Sequence, residues 1–330
     1  MFSQLQVFIL SYNRAEWLES CIRSFLCQSY REFTLTVLDN ASDQDIRGIV
    51  ERLGDSRLSL IQNESNIGGI KSFRKACEIA SADYFMVFHD DDVAHPRLLE
   101  FLMQIAQQVR DASCIVSNCN VVSEMSKMEQ FDEIPVPSFS ILASDAELYS
   151  IGLNGVDRAI GFGATLYRTL AVKESLSLLD ELTSRLSLVF DRAWIAVLAR
   201  KGRSVFVDSH LYNARSHSTQ DSQRLSKEYL YSLEFLKHQR EMFQDLMQGD
   251  ILREWQKRVV STFTGAIRWH LINDVHGLPK ILTTLINQDF VHPFRLLILC
   301  TGQVLIMALK RVVRIVAERL PIRGRSTSRT

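Results

Sequence analysis

With 330 residues, 46% of them hydrophobic and 23% charged, the chain can bury a sizeable core and does not have the composition of a disordered protein. Lys+Arg and Asp+Glu balance at 38 each, and that balance argues against a general nucleic-acid binder. The six cysteines, Cys21, Cys27, Cys77, Cys114, Cys119 and Cys300, form no Cys-x-x-Cys pair, so neither a zinc framework nor a redox motif is indicated.

The start, "MFSQLQVFILSYNR", has no basic n-region and runs directly into a strand pattern. A secretory signal is therefore not expected, and a cytoplasmic location is. Leu5–Leu10 reads as the first strand. A helix from about Glu16 to Gln28 follows, with Trp17, Cys21, Ile22, Phe25 and Leu26 on one side. Thr34–Leu38 is a second strand, Ile46–Leu53 a short helix closed by Gly54, and Leu58–Gln62 a third strand. After Gly68-Gly69 a helix covers about Ile70 to Ala80. Tyr84–Phe88 is the fourth strand, and Pro96 suits the first position of the next helix. Ser113–Val122 is a fifth strand. Strands alternating with helices predict an α/β fold, a mostly parallel sheet with helices on both faces. Cys21 and Cys77 fall on apolar helix faces, as packed thiols do.

Sheets of this kind bind ligands at the carboxyl ends of their strands. The polar residues gather there: Ser11, Tyr12, Asn13 and Arg14 after the first strand, Asp39-Asn40 after the second, Asn63 to Asn66 after the third. After the fourth stands "HDDD", His89 to Asp92. Three consecutive carboxylates repel one another, and a hard divalent cation held by oxygen ligands, Mg²⁺ or Mn²⁺, would relieve the repulsion. The competing reading of the triplet is a solvated acidic turn ahead of a helix. Asp39 could accept a hydrogen bond from a base or a ribose hydroxyl and Tyr12 could stack on a base, although Asp-Asn after a strand also suits a plain turn.

From Glu124 to Ser144 periodicity fails and Pro135 and Pro137 appear. This segment reads as a loop, a candidate cover for the site. "AIGFGATLYRT" suggests a further strand, with Gly161 and Gly163 either admitting a ligand or making a turn. In "LSLVFDRAWIAVLARKG", Asp191 stands where an N-cap would, ahead of Trp194, Val197 and Leu198. Ser204–Asp208 is a strand, and the chain from about 221 is expected to be helical.

The stretches "VFILSYNRAEWLESCIRSFLCQSY", "LTVLDNASDQ", "NESNIGG", "ADYFMVFHDDDVAHP" and "FDRAWIAVLARKG" resemble, in order and spacing, the family 2 glycosyltransferases. These are inverting enzymes of the GT-A fold, a Rossmann-like nucleotide-diphospho-sugar transferase architecture. The resemblance covers roughly residues 5 to 220. It implies a catalytic domain over 1–220, with a donor half to about 122 and an acceptor half after it, and a helical extension over 221–330. It also implies a nucleotide-sugar donor site lined by Tyr12, Arg14, Asp39, Asn66, Gly68 and Asp90, with metal contacts from Asp91, Asp92 and His217. Asp191 matches the family's general base, with Phe190 where Glu usually precedes it. The Asp-x-Asp signature falls on His89-Asp90-Asp91, so His89 replaces its first Asp. No Gln-x-x-Arg-Trp motif of processive synthases is present. The implied activity is transfer of a hexosyl unit to a glycan or lipid-linked acceptor in cell-surface polysaccharide assembly. A decayed nucleotide-sugar-binding scaffold and a nucleotidyltransferase remain the alternatives.

Residues 296 to 309 are uncharged, too short a run to span a bilayer. Beyond them Lys310, Arg311, Arg314 and Arg319 oppose Leu305, Leu309, Val312, Val313 and Val316. Between 289 and 330 eight Lys/Arg stand against two Asp/Glu, a net +6. This basic amphipathic pattern suits peripheral binding to an anionic membrane, or packing on the domain or another subunit.

Overall fold

The computed structural model describes residues 5–142, 163–185 and 190–217, with single positions between 240 and 265; of 185 and 190–193 it describes the backbone only. The chain forms two compact units, Met1–Arg224 and Leu225–Thr330.

The first unit is built on one nine-stranded sheet. β1 (Leu5–Ser11), β2 (Phe33–Asp39), β3 (Leu58–Gln62) and β4 (Tyr84–His89) lie in the order β3-β2-β1-β4, all parallel. The helices between them are α1 (Ala15–Leu26), α2 (Ile46–Leu53) and α3 (Gly69–Ile79). Gly54 ends α2 in the left-handed region at φ 56°, where a side chain would be strained. Leu18, Cys21, Ile22 and Phe25 of α1 are buried with Val7, Ile9, Leu35 and Val37, so alternate strand residues fill one core layer. Cys21 and Cys77 are buried free thiols, as their helix faces imply.

The other half of the sheet is mixed. β5 (Val93–Ala94), α4 (Leu98–Gln108), β6 (Ala112–Val122), β7 (Phe139–Leu142), β8 (Thr165–Arg168), α5 (Thr169–Lys173), α6 (Leu176–Arg185), α7 (Phe190–Leu198) and β9 (Arg203–Arg215) complete the unit. β8 is antiparallel to both β4 and β6, β6 runs parallel to β9, and β5 and β7 are antiparallel to β9. The parallel expectation thus describes the first four strands, and antiparallel insertions follow them. Pro96 lies two residues ahead of α4 rather than inside it.

The largest local difference is β9, which runs well past Asp208 to Arg215. It pairs with β5 at Val93↔Asn213 and Ala94↔Tyr212. A two-residue strand directly after the Asp triplet therefore clamps the triplet to the end of β9. The proline-bearing segment after Glu124 is also tied down. Asn213 donates from Nδ2 to the carbonyls of Met128 (2.9 Å) and Gln130 (3.0 Å), Arg97 donates to the carbonyl of Ile134 (3.1 Å), and β7 joins the sheet through β9.

In the second unit, Trp255 and Val259 are buried and the Arg240 guanidinium lies 5.6 Å from the Trp255 ring centre. Among the described residues no helix is long and apolar enough to cross a membrane. The basic pattern after residue 296 lies outside the described residues.

Candidate active site

Parallel pairing in register brings the strand ends together. Ser11 is opposite Asp39, and Leu10 is opposite His89. The backbone N–H of Asn40 donates to the Ser11 carbonyl at 2.9 Å, and that of Asn63 to the Asp39 carbonyl at 2.8 Å. Past these bonds the chain turns away, with Asn13 (φ 53°) and Ala41 (φ 62°) in the left-handed region.

Asp39 is 1% exposed. Its carboxylate accepts from the Ser42 hydroxyl at 2.5 Å, the Ser42 N–H at 3.2 Å and Gln62 Nε2 at 3.2 Å, which fix its orientation. Asn66 Oδ1 accepts from Asn40 Nδ2 (2.7 Å) and from the Gly68 N–H (2.8 Å), while Asn40 Oδ1 accepts from Asn63 Nδ2 and the Ile67 N–H. Gly68, at φ 83°, starts α3 from a conformation that L-residues avoid. Asn66 and Gly68 are thus locked to the end of β2. Tyr12 is 42% exposed, while its N–H donates to Asp90 Oδ2 at 3.1 Å. Ser11 Oγ is buried without a hydrogen-bond partner in the same crevice floor.

The triplet is not a solvated turn: Asp90, Asp91 and Asp92 are all buried. Arg14 Nη1 bridges Asp90 Oδ1 (3.0 Å) and Asp91 Oδ2 (3.2 Å). His217 Nε2 lies 2.9 Å from Asp91 Oδ2. Arg215 donates its backbone N–H to Asp92 Oδ1 (3.0 Å) and its Nε to the Asp91 carbonyl (2.9 Å). Trp17 of α1 supports both Arg215 at the end of β9 and His217 just beyond it, with its ring centre 4.6 Å from that of His217 and 5.1 Å from the Arg215 guanidinium. The fold therefore brings Arg14, Asp90, Asp91, Asp92 and His217 into one cluster. Arg215, Trp17 and the clamp by β5 were not read from the sequence. An arginine two residues before a histidine, beyond a strand and facing three carboxylates in need of cations, is the signal that was there to use.

The environments of the three carboxylates differ. Burial pushes Asp90 up to about 6 against the opposing effect of Arg14. Burial also raises Asp92. For Asp91 burial acts upward as well, but His89, Arg14 and the His217 hydrogen bond outweigh it and hold the group below the usual range. Burial disfavours a charged His89, yet the three carboxylates, Asp92 first, raise it to about 9.

One donor atom from each of His89, Asp91 and Asp92 lies within 4.8 Å of the other two, a spacing a divalent ion can draw together. The donors are carboxylate oxygens with one imidazole nitrogen, hard and borderline ligands that fit a divalent cation. Asp92 also faces Gly163: a Cβ there would stand 3.4 Å from Asp92 Oδ2 and from Tyr212. Gly161 lies outside the described residues, and so does the side chain of Asp191. The backbone places Asp191 within α7 rather than ahead of it.

Residues 6–151 match the model of "Glycosyl transferase family 2". Over 142 residues the chain is 30% identical to an uncharacterised glycosyltransferase of Methanocaldococcus jannaschii, covering 39% of this chain and 49% of that protein. Over 128 residues it is 27% identical to the UDP-Glc:alpha-D-GlcNAc-diphosphoundecaprenol beta-1,3-glucosyltransferase WfgD of Escherichia coli, covering 38% and 50%. The chain thus spans about half the length of these curated relatives. A crystal structure of residues 1–349 of S. aureus TarS superposes with TM-score 0.56 at 14% identity, covering 86% of this chain and 79% of that one. The same protein has been solved with UDP-GlcNAc, at TM-score 0.54. The likeness in fold is that of the GT-A architecture, and residues 6–151 are similar to glycosyltransferase family 2.

Proposed function

We propose that the protein is a metal-dependent, inverting glycosyltransferase that moves a hexosyl unit from a nucleotide-diphospho-sugar to a glycan or lipid-linked acceptor in cell-surface polysaccharide assembly. The observation that carries this reading is the buried cluster at the ends of β1, β2 and β4. Asp90, Asp91 and Asp92 are held there by Arg14, Arg215 and His217, beside the fixed Asp39. The family match over residues 6–151 and the named activity of WfgD support it.

In this reading Asp39 accepts a hydrogen bond from the base or ribose, Tyr12 stacks on the base, and Asn66 and Gly68 line the same pocket. Asp91, Asp92 and His217 would hold the divalent ion, Mg²⁺ or Mn²⁺. The bound ion supplies charge neutralisation for the departing nucleoside diphosphate. Arg14 stands beside Asp90 and orients the carboxylates toward that position. Asp191 takes the proton of the acceptor hydroxyl as its oxygen attacks the anomeric carbon from the face opposite the leaving group. Bond formation and departure occur in one displacement, so the anomeric configuration inverts. The basic segment beyond residue 296 would hold the enzyme at the inner face of the cytoplasmic membrane, near a lipid-linked acceptor.

The test is a thermal-shift screen of nucleoside diphosphates with and without Mn²⁺, followed by assay of sugar release from the nucleotide sugar that binds. Ligand binding raises apparent stability by mass action. Metal-dependent stabilisation with sugar release is the expected result. Binding without any release or transfer would favour the decayed scaffold, and no nucleotide binding at all would overturn the reading.

A further inference from the structure

We infer that His89 is itself a ligand of the divalent ion, and that this site is built for a transition-series cation, Mn²⁺ or Co²⁺, in preference to Mg²⁺. The inference deepens the transferase reading and rests on it for the presence of a cation at the cluster.

The backbone sets up the ligand. His89 is the last residue of β4, in register with Leu10. Its carbonyl accepts from Cys21 Sγ at 3.3 Å and from the Asp92 N–H at 3.4 Å. The second bond closes a turn that places the side chains of His89 and Asp92 on the same side, with Nδ1 3.7 Å from Asp92 Oδ2. That separation is too long for a hydrogen bond and suits two ligands of one ion. Metal–ligand bonds of about 2.1 Å would separate neighbouring ligand atoms by roughly 3 Å and opposite ones by roughly 4 Å. The His89, Asp91 and Asp92 donor atoms lie within 4.8 Å of one another, so a small contraction completes the set.

The surroundings divide the carboxylate oxygens between different partners. Arg14 takes one oxygen each of Asp90 and Asp91, and the Arg215 N–H takes Asp92 Oδ1. Asp92 Oδ2 is the oxygen that faces His89, and it is also the oxygen beside which Gly163 carries no Cβ. The pocket has a closed floor, with Asp91 and Asp92 each 4% exposed, and an open lip, where the His89 side chain is 42% exposed. An ion held there by His89 keeps a solvent side on which diphosphate oxygens can bind.

Ligand chemistry then sets the choice of ion. Mg²⁺ demands an oxygen octahedron and binds nitrogen poorly, whereas imidazole favours ions further along the first transition series. Where the family signature supplies a carboxylate, this chain supplies a borderline nitrogen, and one negative charge fewer. Both changes cost Mg²⁺ more than Mn²⁺ or Co²⁺.

The experiment uses the full-length protein, titrated with Mn²⁺ and separately with Mg²⁺ by calorimetry. Pulsed electron paramagnetic resonance of the Mn²⁺ complex reads directly bound ¹⁴N. Wild type is expected to prefer Mn²⁺ by well over an order of magnitude and to show two ¹⁴N couplings, one from His89 and one from His217. His89→Asp should lose one of the two and narrow the Mn²⁺/Mg²⁺ ratio by about 10-fold or more. His89→Asn, closer in shape, should also leave a single coupling if the Asp variant fails to fold. His217→Asn is the control for the neighbouring imidazole and should leave the His89 coupling in place. Equal Mn²⁺ and Mg²⁺ affinity in wild type overturns the inference, as does a set of couplings that both His89 changes leave intact. Sugar transfer that proceeds with no divalent ion bound would also overturn it while leaving the transferase reading intact. Nitrogen-ligated Mn²⁺ in a protein that transfers no sugar would do the reverse.

Discussion

Nε2 of His217 stands 2.9 Å from Oδ2 of Asp91, although 126 residues of chain separate them. The meeting depends on β9 continuing to Arg215 and on β5 pairing with it, because the same short strand follows Asp92 directly. Trp17, from a third element, then packs on His217 and fixes the ring. Three segments distant in sequence thus converge on one carboxylate. His217→Ala should cost about 10- to 100-fold in Mn²⁺ affinity, the usual penalty for losing a residue that holds or orients a metal ligand. Calorimetric titration of the two proteins decides it, and identical affinities would show that His217 is only a packed histidine.

Asp91→Asn keeps the shape of the side chain and removes its charge. Arg14 retains Asp90 as a partner at 3.0 Å, so the fold should survive. Stabilisation of the protein by nucleoside diphosphate with Mn²⁺ should disappear in a thermal melt. Asp39→Asn should behave differently: metal binding persists and nucleoside diphosphate affinity falls by about 10-fold, the loss of one hydrogen bond to a charged group.

Arg215 tests the support behind the site. It is buried, and its Nε satisfies the Asp91 carbonyl. Arg215→Met leaves that carbonyl without its side-chain donor and should destabilise the protein by about 1–3 kcal/mol. Urea unfolding with an unchanged slope would read this as stability rather than altered compactness. A midpoint equal to that of wild type would mean water replaces the guanidinium at no cost.

The parallel half of the sheet was legible because each strand and helix carries its own local pattern, and the register then aligns Ser11, Asp39 and His89 without further information. The burial of the triplet was not legible. It depends on β9, whose second half, "SHLYNAR", is polar and breaks register with β6 around Ser117 and Asn118. No local period marks a strand there; its partner β5 is two residues long and only the pairing defines it. The site's aspartates, Arg14 and His217 were named from the sequence, whereas Arg215 and the clamp that buries the triplet came from long-range pairing. For the same reason the segment after Glu124 read as an open loop: its anchors, Asn213 and Arg97, lie elsewhere in the chain.

Away from the site, Glu100 carries a pH dependence. Arg97 donates to its two oxygens at 3.0 and 2.8 Å and Ser29 Oγ donates at 2.6 Å. These bonds, Arg97 first, lower its pKa to about 2. An acid depressed in the folded state binds protons more readily when unfolded. Its contribution is therefore complete above the unfolded value near 4.3 and is lost as pH falls toward 2. Glu100→Gln should be less stable than wild type at pH 6, and the two unfolding curves should converge by about pH 2. A difference that is constant from pH 6 to pH 2 would mean the pairing contributes through packing rather than charge.

The assignment of Asp191 as base makes the sharpest kinetic claim. The residue lies within α7, in the first turn of the described helix, and a carboxylate there also interacts favourably with the helix amides. A helical role and a catalytic role predict different outcomes for the same change. Asp191→Asn keeps a side-chain oxygen able to accept from the first-turn amides, so a purely structural residue would lose little. A general base would lose the proton acceptor itself, and transfer should fall by about 10²- to 10⁴-fold. Because the nucleotide sugar and its ion bind at the ends of β1, β2 and β4 in the proposed reading, donor affinity should be unchanged. Measuring turnover and nucleotide-sugar binding on the same preparation separates the roles. Turnover within a few-fold of wild type would return Asp191 to the helix as a capping residue. Parallel loss of binding and turnover would place it in the donor site instead, because only a group acting after the donor is bound can lower the rate and leave affinity untouched.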